Sequence, residues 1–343
     1  MTAVSGHGPW PGVDRDELEA QQIVLGDLAD LPTGVDALPF LTQLSDRGPG
    51  ADPLGRTAAL LAELPVEMGP HGWKLTDHPG ADQRRAGTFL REDLGALAIA
   101  AHGHTGPFAL EVLGPWTLAA SLWSARGDRV LADPGARHEL ALSLAEGVRA
   151  HVAAVRQQVP GVGDVVVQLA EPQLGAVHAG VLPTFSGYAR LRSVPGPDLV
   201  EGLRPVVDAV HDAGARAVVH LGPTWSGLPP AVLAGADAVG LDVGDVGWDE
   251  RAWELVARAA EKGVGLWAGL PAAKVSQCAG PMLGELVHLV AEPWRRIGLP
   301  ASGLDGLTLL SAPRRPLAGV DASRAELANL GRIAEALAER AAA

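Results

Sequence analysis

Cysteine is nearly absent from this sequence: the 343 residues contain one, Cys278. An intramolecular disulfide and a metal cluster built only from cysteines are therefore excluded. Long apolar runs are also lacking, because stretches such as 94–101 fall well below the roughly 20 residues that span a bilayer. Residues 1–12 show neither the basic region nor the apolar segment of a secretory signal. We therefore expect a cytoplasmic protein without a membrane segment.

Basic residues are too few to balance the acidic ones. The chain has 27 Lys and Arg against 40 Asp and Glu, which gives a formal net charge of −13. Such a field repels nucleic acid and anionic lipid, so we expect a small-molecule partner and neither nucleic acid nor membrane. With 47% hydrophobic and 20% charged residues the chain can bury a large core. The oligomeric state stays open.

Short apolar runs alternate along the chain with longer segments of helical periodicity. This alternation is typical of buried parallel strands joined by crossover helices. Eight strands are predicted, at 3–7, 63–68, 108–113, 163–169, 215–221, 237–242, 264–270 and 307–311. Helices are predicted at 16–29, 53–63, 117–123, 135–158, 198–213, 249–262, 281–297 and 322–342. The pattern and the length predict an α/β fold, a single (β/α)8 TIM barrel domain over 1–343 with a long insertion, 32–53, after the first helix.

An open doubly wound sheet is the alternative architecture, since it also alternates strands and helices. That fold favours a glycine-rich phosphate-binding turn directly after a strand. The glycine pair at 161–163 instead precedes a predicted strand. The barrel is therefore the preferred prediction.

Polar residues follow several of the predicted strands, and in barrels the strands' carboxyl ends carry the active site. We expect these residues to meet at one mouth: His7, Glu67, Glu111, Trp116, Gln168, Glu171, His220 and Asp242. His220 and Asp242 end neighbouring strands. An imidazole beside a carboxylate suits a metal ligand pair or a proton relay.

Several segments resemble the cobalamin-independent methionine synthase family, in particular its C-terminal catalytic barrel in short, single-barrel actinobacterial members. The resemblance spans nearly the whole chain. The segments that carry it are 5–12 (SGHGPWPG), 47–52 (RGPGAD), 55–57 (GRT), 104–107 (HTGP), 114–117 (GPWT), 168–172 (QLAEP) and 317–319 (LAG).

The resemblance implies an enzyme that moves a methyl group from 5-methyltetrahydrofolate to the thiol of homocysteine, with a zinc ion holding the thiol as thiolate. It implies substrate-binding roles for a set of mouth residues: His7, Gly8, Pro9, Glu67, Trp116 and Glu171. Ala170 stands where the family carries an aspartate before this glutamate.

The zinc ligands that the resemblance implies are only half present. His220 matches the family's histidine and Asp242 its carboxylate, but Gly222 stands where the first cysteine belongs. Arg315 falls near the position of the second cysteine. Two protein ligands are one short of the usual catalytic zinc site, and a guanidinium opposes a divalent cation. We therefore expect no tight zinc binding in the family manner and weak or absent methylation of homocysteine.

Two alternatives remain at this stage. One is a metal-free barrel enzyme similar to uroporphyrinogen decarboxylase, for which Arg315 at the mouth would suit an anionic substrate. The other is a non-catalytic protein that binds a small molecule.

Overall fold

The structure, a computed structural model, describes residues 1–12, 16–313, 317 and 319–342. Within these ranges the strands are β1 (Ala3–Val4), β2 (Asp36–Ala37), β3 (Val66–Gly69), β4 (Gly72–Leu75), β5 (Phe108–Leu113), β6 (Val165–Ala170), β7 (Arg216–His220), β8 (Ala238–Asp242), β9 (Gly265–Leu270) and β10 (Thr308–Ser311). Eight of them form one parallel sheet in the order β2-β1-β10-β9-β8-β7-β6-β5. A parallel bridge between Phe40 and Ala109 connects its two ends. The predicted α/β barrel fold is confirmed.

Helices surround the sheet. The α-helices of the described residues are α1 (Glu17–Ala29), α2 (Pro53–Leu60), α3 (Ala81–Ala100), α4 (Pro115–Ser121), α5 (Pro134–Gln158), α6 (Leu174–Ala179), α7 (Gly196–Asp212), α8 (Leu228–Leu233), α9 (Val243–Val246), α10 (Glu250–Glu261), α11 (Ala272–Val275), α12 (Pro281–Arg296) and α13 (Val320–Ala342). In this part of the chain, no helix combines the length and the apolar character needed to cross a membrane.

Aspartate residues begin several of these helices. The side chains of Asp52 and Asp133 each accept hydrogen bonds from two backbone N–H groups in the first turn of α2 and α5. Pro53 and Pro134 follow them, and proline is well suited to a first helical position because it has no N–H to leave unpaired. Asp16 caps α1 in the same way. These local signals explain why the helices begin where they do.

The central strands are buried on both faces. In β6 the five residues from Val165 to Leu169 are all buried, as expected for a parallel strand with the barrel interior on one side and helices on the other. Between the helices and the sheet lies a continuous apolar core that includes Phe108, Leu110 and Leu144. This core fixes the strand ends that carry the polar residues described below.

The second barrel strand was predicted wrongly. Residues 63–68 contribute to an antiparallel hairpin, in which β3 pairs with β4 and Val66 lies opposite Leu75. The barrel strand is instead β2, which lies inside the segment 32–53 that was predicted as an insertion and pairs with β1. Because β2 is two residues long and lies between Pro32 and Pro39, it has no apolar run that could identify it.

Candidate functional site

His220 and Asp242 end neighbouring strands, and a glycine makes room for each side chain. His220 pairs in register with Gly240 on β8, and Asp242 pairs with Gly269 on β9. A Cβ atom on Gly240 would lie 2.0 Å from His220 Cδ2, and one on Gly269 would lie 2.4 Å from Asp242 Oδ1. Each polar side chain therefore extends over the neighbouring strand at a position where only glycine leaves room for it.

A carboxylate on β5 gathers three donors beside these residues. Glu111 Oε2 lies 2.8 Å from His7 Nδ1, 2.8 Å from Gln168 Nε2 and 3.2 Å from the Gly8 backbone nitrogen. Glu111 and Gln168 are register partners on β5 and β6, so the strand pairing itself places them together. Gln168 Nε2 also lies 2.8 Å from His7 Nδ1, so these three side chains form one polar cluster at the mouth.

The two histidines meet edge to face. The ring centroids of His7 and His220 are 4.9 Å apart with an interplanar angle of 86°. His220 Nδ1 accepts a hydrogen bond of 3.2 Å from the Gly222 backbone N–H, which leaves the proton of a neutral ring on Nε2. That Nε2 lies 3.9 Å from Asp242 Oδ1, too far for a hydrogen bond. We call His7, Glu111, Gln168, His220 and Asp242 the mouth residues.

Burial shifts the ionisation of both strand-end groups. Burial, and secondarily the neighbouring His7, lowers the pKa of His220 well below its ordinary value, so the ring is neutral at pH 7. Burial raises the pKa of Asp242 to about 6, although His7 lowers it and Asp245 adds a smaller upward effect. At neutral pH the pair is therefore a neutral imidazole next to a carboxylate.

Four buried polar atoms at the mouth have no hydrogen-bond partner among the described residues: His7 Nε2, Gln168 Oε1, His220 Nε2 and Asp242 Oδ1. Unpaired buried polar atoms are rare because each costs roughly 1–3 kcal/mol. Gln168 is 1% exposed and His220 2%. These four atoms are therefore free to pair with a polar group.

The donor set does not fit a thiolate-ligated zinc ion. Gly222 has a φ of 63°, a left-handed conformation that a cysteine at this position would adopt only with strain. Cys278 is buried beside α13, where its carbonyl oxygen accepts a hydrogen bond from Arg332. Among the described residues, no group of three or more His, Cys, Asp or Glu side chains is arranged to hold a metal ion. Arg315 lies outside the described residues.

Glu171 and Trp116, also predicted to bind substrate, have hydrogen-bond partners within the fold. Glu171 is fully buried and caps α4: its oxygens accept from the backbone N–H groups of Trp116 and Thr117 and from the Thr117 hydroxyl, at 2.7–2.8 Å. Trp116 Nε1 donates to the Leu199 carbonyl, and its ring packs under Arg137 on the outer side of the barrel. Both side chains thus connect helices to the sheet.

Three other predicted substrate-binding residues have local partners. Glu67 lies on the β3–β4 hairpin and forms an ion pair of 2.8 Å with Lys74, so its predicted place at a barrel strand end was wrong. The Gly8 N–H is used by Glu111. Pro9 forms a parallel bridge with Gln43.

Gln43 and the two glycines were missed by the sequence reasoning. Gln43 Nε2 donates to the Glu111 carbonyl oxygen at 2.9 Å, and its Oε1 has no partner among the described residues. It was overlooked because its segment was predicted as an insertion. Gly240 and Gly269 carry no chemistry of their own, and only strand register reveals their role.

No family model matches the chain, and no curated protein matches it in sequence. Its fold is similar to that of a B12-independent methionine synthase from a Shewanella species, solved in complex with selenomethionine, with a TM-score of 0.59 and 12% identity over 98% of this chain and 97% of that one. This likeness shows the fold. Weaker matches are a 2,3-dimethylmalate lyase (TM-score 0.39, 11% identity, 90% of this chain, 75% of that one) and the carboxyl transferase domain of Rhizobium etli pyruvate carboxylase (0.26, 15%, 68% and 41%).

Proposed function

We propose that this protein is a barrel related to the cobalamin-independent methionine synthases that binds a small amino acid or thiol at its mouth, without a thiolate-ligated zinc ion. The observation that carries the proposal is the set of four buried, unpaired polar atoms on His7, Gln168, His220 and Asp242. They lie where parallel barrels bind their substrates. A ligand that pairs with them removes the desolvation cost of leaving them unpaired.

The fold supports the relationship to the methionine synthases, and the polar side chains at the mouth argue for altered chemistry. The fold likeness extends over 98% of this chain, and the structure in question was solved with an amino acid bound. Zinc lowers the pKa of a bound thiol, and the described mouth residues include no sulfur donor to hold the metal in that way. Zinc-dependent methyl transfer from a folate donor to homocysteine is therefore weak or absent in this protein.

Calorimetric titration of the purified protein with L-methionine and L-homocysteine tests binding. We expect saturable 1:1 binding that His220→Ala weakens by about tenfold or more, as for the loss of a buried donor. Asp245→Asn is the control, since Asp245 is exposed in the short helix α9 that follows Asp242. If neither compound binds, or if the His220 and Asp245 variants bind equally well, the proposal is wrong.

A second experiment separates altered chemistry from ordinary methionine synthesis. Zinc content is measured by elemental analysis, and methyl transfer from 5-methyltetrahydrofolate to homocysteine is followed with and without added zinc. We expect substoichiometric zinc and little or no turnover in both conditions. Stoichiometric zinc that His220→Ala removes would contradict the proposal.

The two alternatives are a metal-free barrel enzyme and a non-catalytic binding protein. The similarity to uroporphyrinogen decarboxylase rests on Arg315, which lies outside the described residues, so no described contact favours it. A non-catalytic binding protein would bind the amino acid and show no turnover with 5-methyltetrahydrofolate or with any other methyl donor.

A further inference from the structure

A pocket of about 290 Å³ lies at the end of the barrel opposite the mouth. It is formed by α12, by the last turn of α13 and by the 3-10 helix Ala301–Gly306, which leads into β10. His220 and Asp242 end their strands, whereas this segment precedes one. A water molecule occupies ~30 Å³ in the liquid, so the pocket has room for about ten non-hydrogen atoms.

The inner wall of this pocket is apolar. It includes the rings and chains of Trp294 and Leu304, both of which are buried. The Trp294 indole N–H donates to the Pro300 carbonyl oxygen at 2.9 Å, so the ring needs no further polar partner. Ala291 and Ala301 also line the pocket, and their small side chains leave it open. Such a wall favours the apolar part of a ligand, which gains by leaving water.

The outer side of the pocket is positively charged, although the whole chain has a formal net charge of −13. Three basic side chains and one acidic side chain line it: His288, Arg295, Arg340 and Glu292. Glu292 accepts hydrogen bonds of 2.7 and 2.9 Å from Arg295, so these two charges neutralise each other. Arg340 has no hydrogen-bond or ion-pair partner among the described residues. Its guanidinium is therefore available to an anion.

We infer that this pocket is a second binding site, for a small monocarboxylate whose apolar chain packs on Trp294 and Leu304 and whose carboxylate pairs with Arg340. A cation would be repelled by Arg340. A neutral apolar molecule would gain the contacts with the wall but no ion pair, and a small inorganic anion would gain the ion pair but no contacts with the wall. The negative charge of the whole chain disfavours a ligand with more than one negative charge.

Three matched ligands test the inference on the purified protein. Hexanoate, 1-hexanol and hexylamine share one chain length and differ in the charge of the head group, and ligand-observed NMR titration measures the affinity of each. We expect saturable binding of hexanoate that is about fivefold tighter than that of hexanol, as for an ion pair in contact with solvent, and the weakest binding for hexylamine. Hexanoate that does not saturate, or that binds no more tightly than hexanol or hexylamine, would overturn the inference.

One pair of variants checks that the carboxylate pairs with Arg340. Arg340→Gln should weaken the binding of hexanoate about fivefold and change the binding of hexanol by less than about twofold, because only hexanoate uses the charge. Arg258→Gln removes an exposed arginine from α10 and should leave both affinities unchanged. Equal affinities of the two variants for hexanoate would contradict the role of Arg340.

A second pair of variants checks that the chain of the ligand lies in this pocket and not at the mouth. Ala291→Leu places a larger side chain in the pocket and should weaken the binding of both hexanoate and hexanol by about tenfold or more. Ala328→Leu adds the same side chain at an exposed position of α13 and should leave both affinities unchanged. If the Ala291 and Ala328 variants bind hexanoate equally well, the pocket is not the binding site and the inference is wrong.

Discussion

Two buried carboxylates at the ends of barrel strands show how differently the same chemical group can be used. Glu171 follows β6, and hydrogen bonds from the first turn of α4 occupy both of its oxygens. Asp242 ends β8, and its Oδ1 has no hydrogen-bond partner among the described residues. Burial is the main cause of a raised pKa in both, to about 7 for Glu171 and about 6 for Asp242.

The comparison shows that burial and a shifted pKa do not by themselves identify a binding residue. Close packing does not separate them either, since a Cβ on Gly114 would lie 2.4 Å from Glu171 Oε1 and one on Gly269 would lie 2.4 Å from Asp242 Oδ1. The two carboxylates differ in whether hydrogen-bond donors of the protein occupy their oxygens. Glu171 is therefore expected to stabilise the fold, and Asp242 to bind ligand.

The largest expected effect is on the stability of the Glu171→Ala variant. The substitution leaves two backbone N–H groups and the Thr117 hydroxyl without their acceptor, which costs about 4 kcal/mol of unfolding free energy at roughly 1–3 kcal/mol per buried group. Chemical denaturation measures it. Ligand affinity of the folded fraction should stay within about twofold of the native protein; a large loss of affinity with little loss of stability would reverse the roles assigned here.

The pH dependence of stability is the next largest effect. The folded pKa of Glu171, about 7, lies above its ordinary value of 4.5, so the folded protein holds the proton more tightly. Its contribution is fully present below pH 4.5 and is lost as the pH rises through about 7, by up to about 3 kcal/mol. Glu171→Gln cannot titrate, so its unfolding free energy relative to the native protein should rise over that range. Parallel pH curves would contradict the shift.

Asp242→Ala, in contrast to Glu171→Ala, should reduce ligand affinity much more than stability. Removing a buried, unpaired carboxylate should leave the unfolding free energy unchanged within about 1 kcal/mol, or raise it. Affinity for L-methionine should fall about 100-fold, equivalent to about 2.7 kcal/mol. Denaturation and calorimetry on the same preparation measure both. A variant that is strongly destabilised but binds normally would show that Asp242 is structural, like Glu171.

The smallest expected effect comes from substituting Gly269, which has no side chain and so leaves room for Asp242. A Cβ on Gly269 would lie 2.4 Å from Asp242 Oδ1, so Gly269→Ala should displace the carboxylate and weaken binding about tenfold, or about 1.4 kcal/mol. Gly265→Ala on the same strand is the matched control, because its Cβ would meet only Ala238 Cβ at 3.3 Å and the Asp237 carbonyl oxygen at 3.8 Å. Equal affinities of the two variants would argue against this role for Gly269.

The barrel could be predicted because most of its strands are apolar runs whose burial leaves a clear pattern. The run from Val165 to Leu169 and the run ending at His220 are examples. The second strand could not be predicted in this way, because Asp36–Ala37 is too short and too polar to stand out. Val66, by contrast, belongs to a run with strand character that pairs only locally.

At the mouth, the position of a residue after a strand predicted which polar side chains lie there, but not whether they are free to bind a ligand or stabilise the fold. His7, His220 and Asp242 follow strands and do meet there. Glu171 follows a strand equally well, yet whether its oxygens face the mouth or α4 depends on the packing of a helix that is remote in sequence. The roles of Gln43 and Gly269 depend on strand register, which a single sequence does not show.

Calorimetric titration of chelator-treated protein with L-methionine shows whether the mouth binds its ligand without zinc. We expect saturable 1:1 binding to protein that elemental analysis shows to be free of zinc. Binding that is absent from the zinc-free protein and returns with one equivalent of zinc would contradict it.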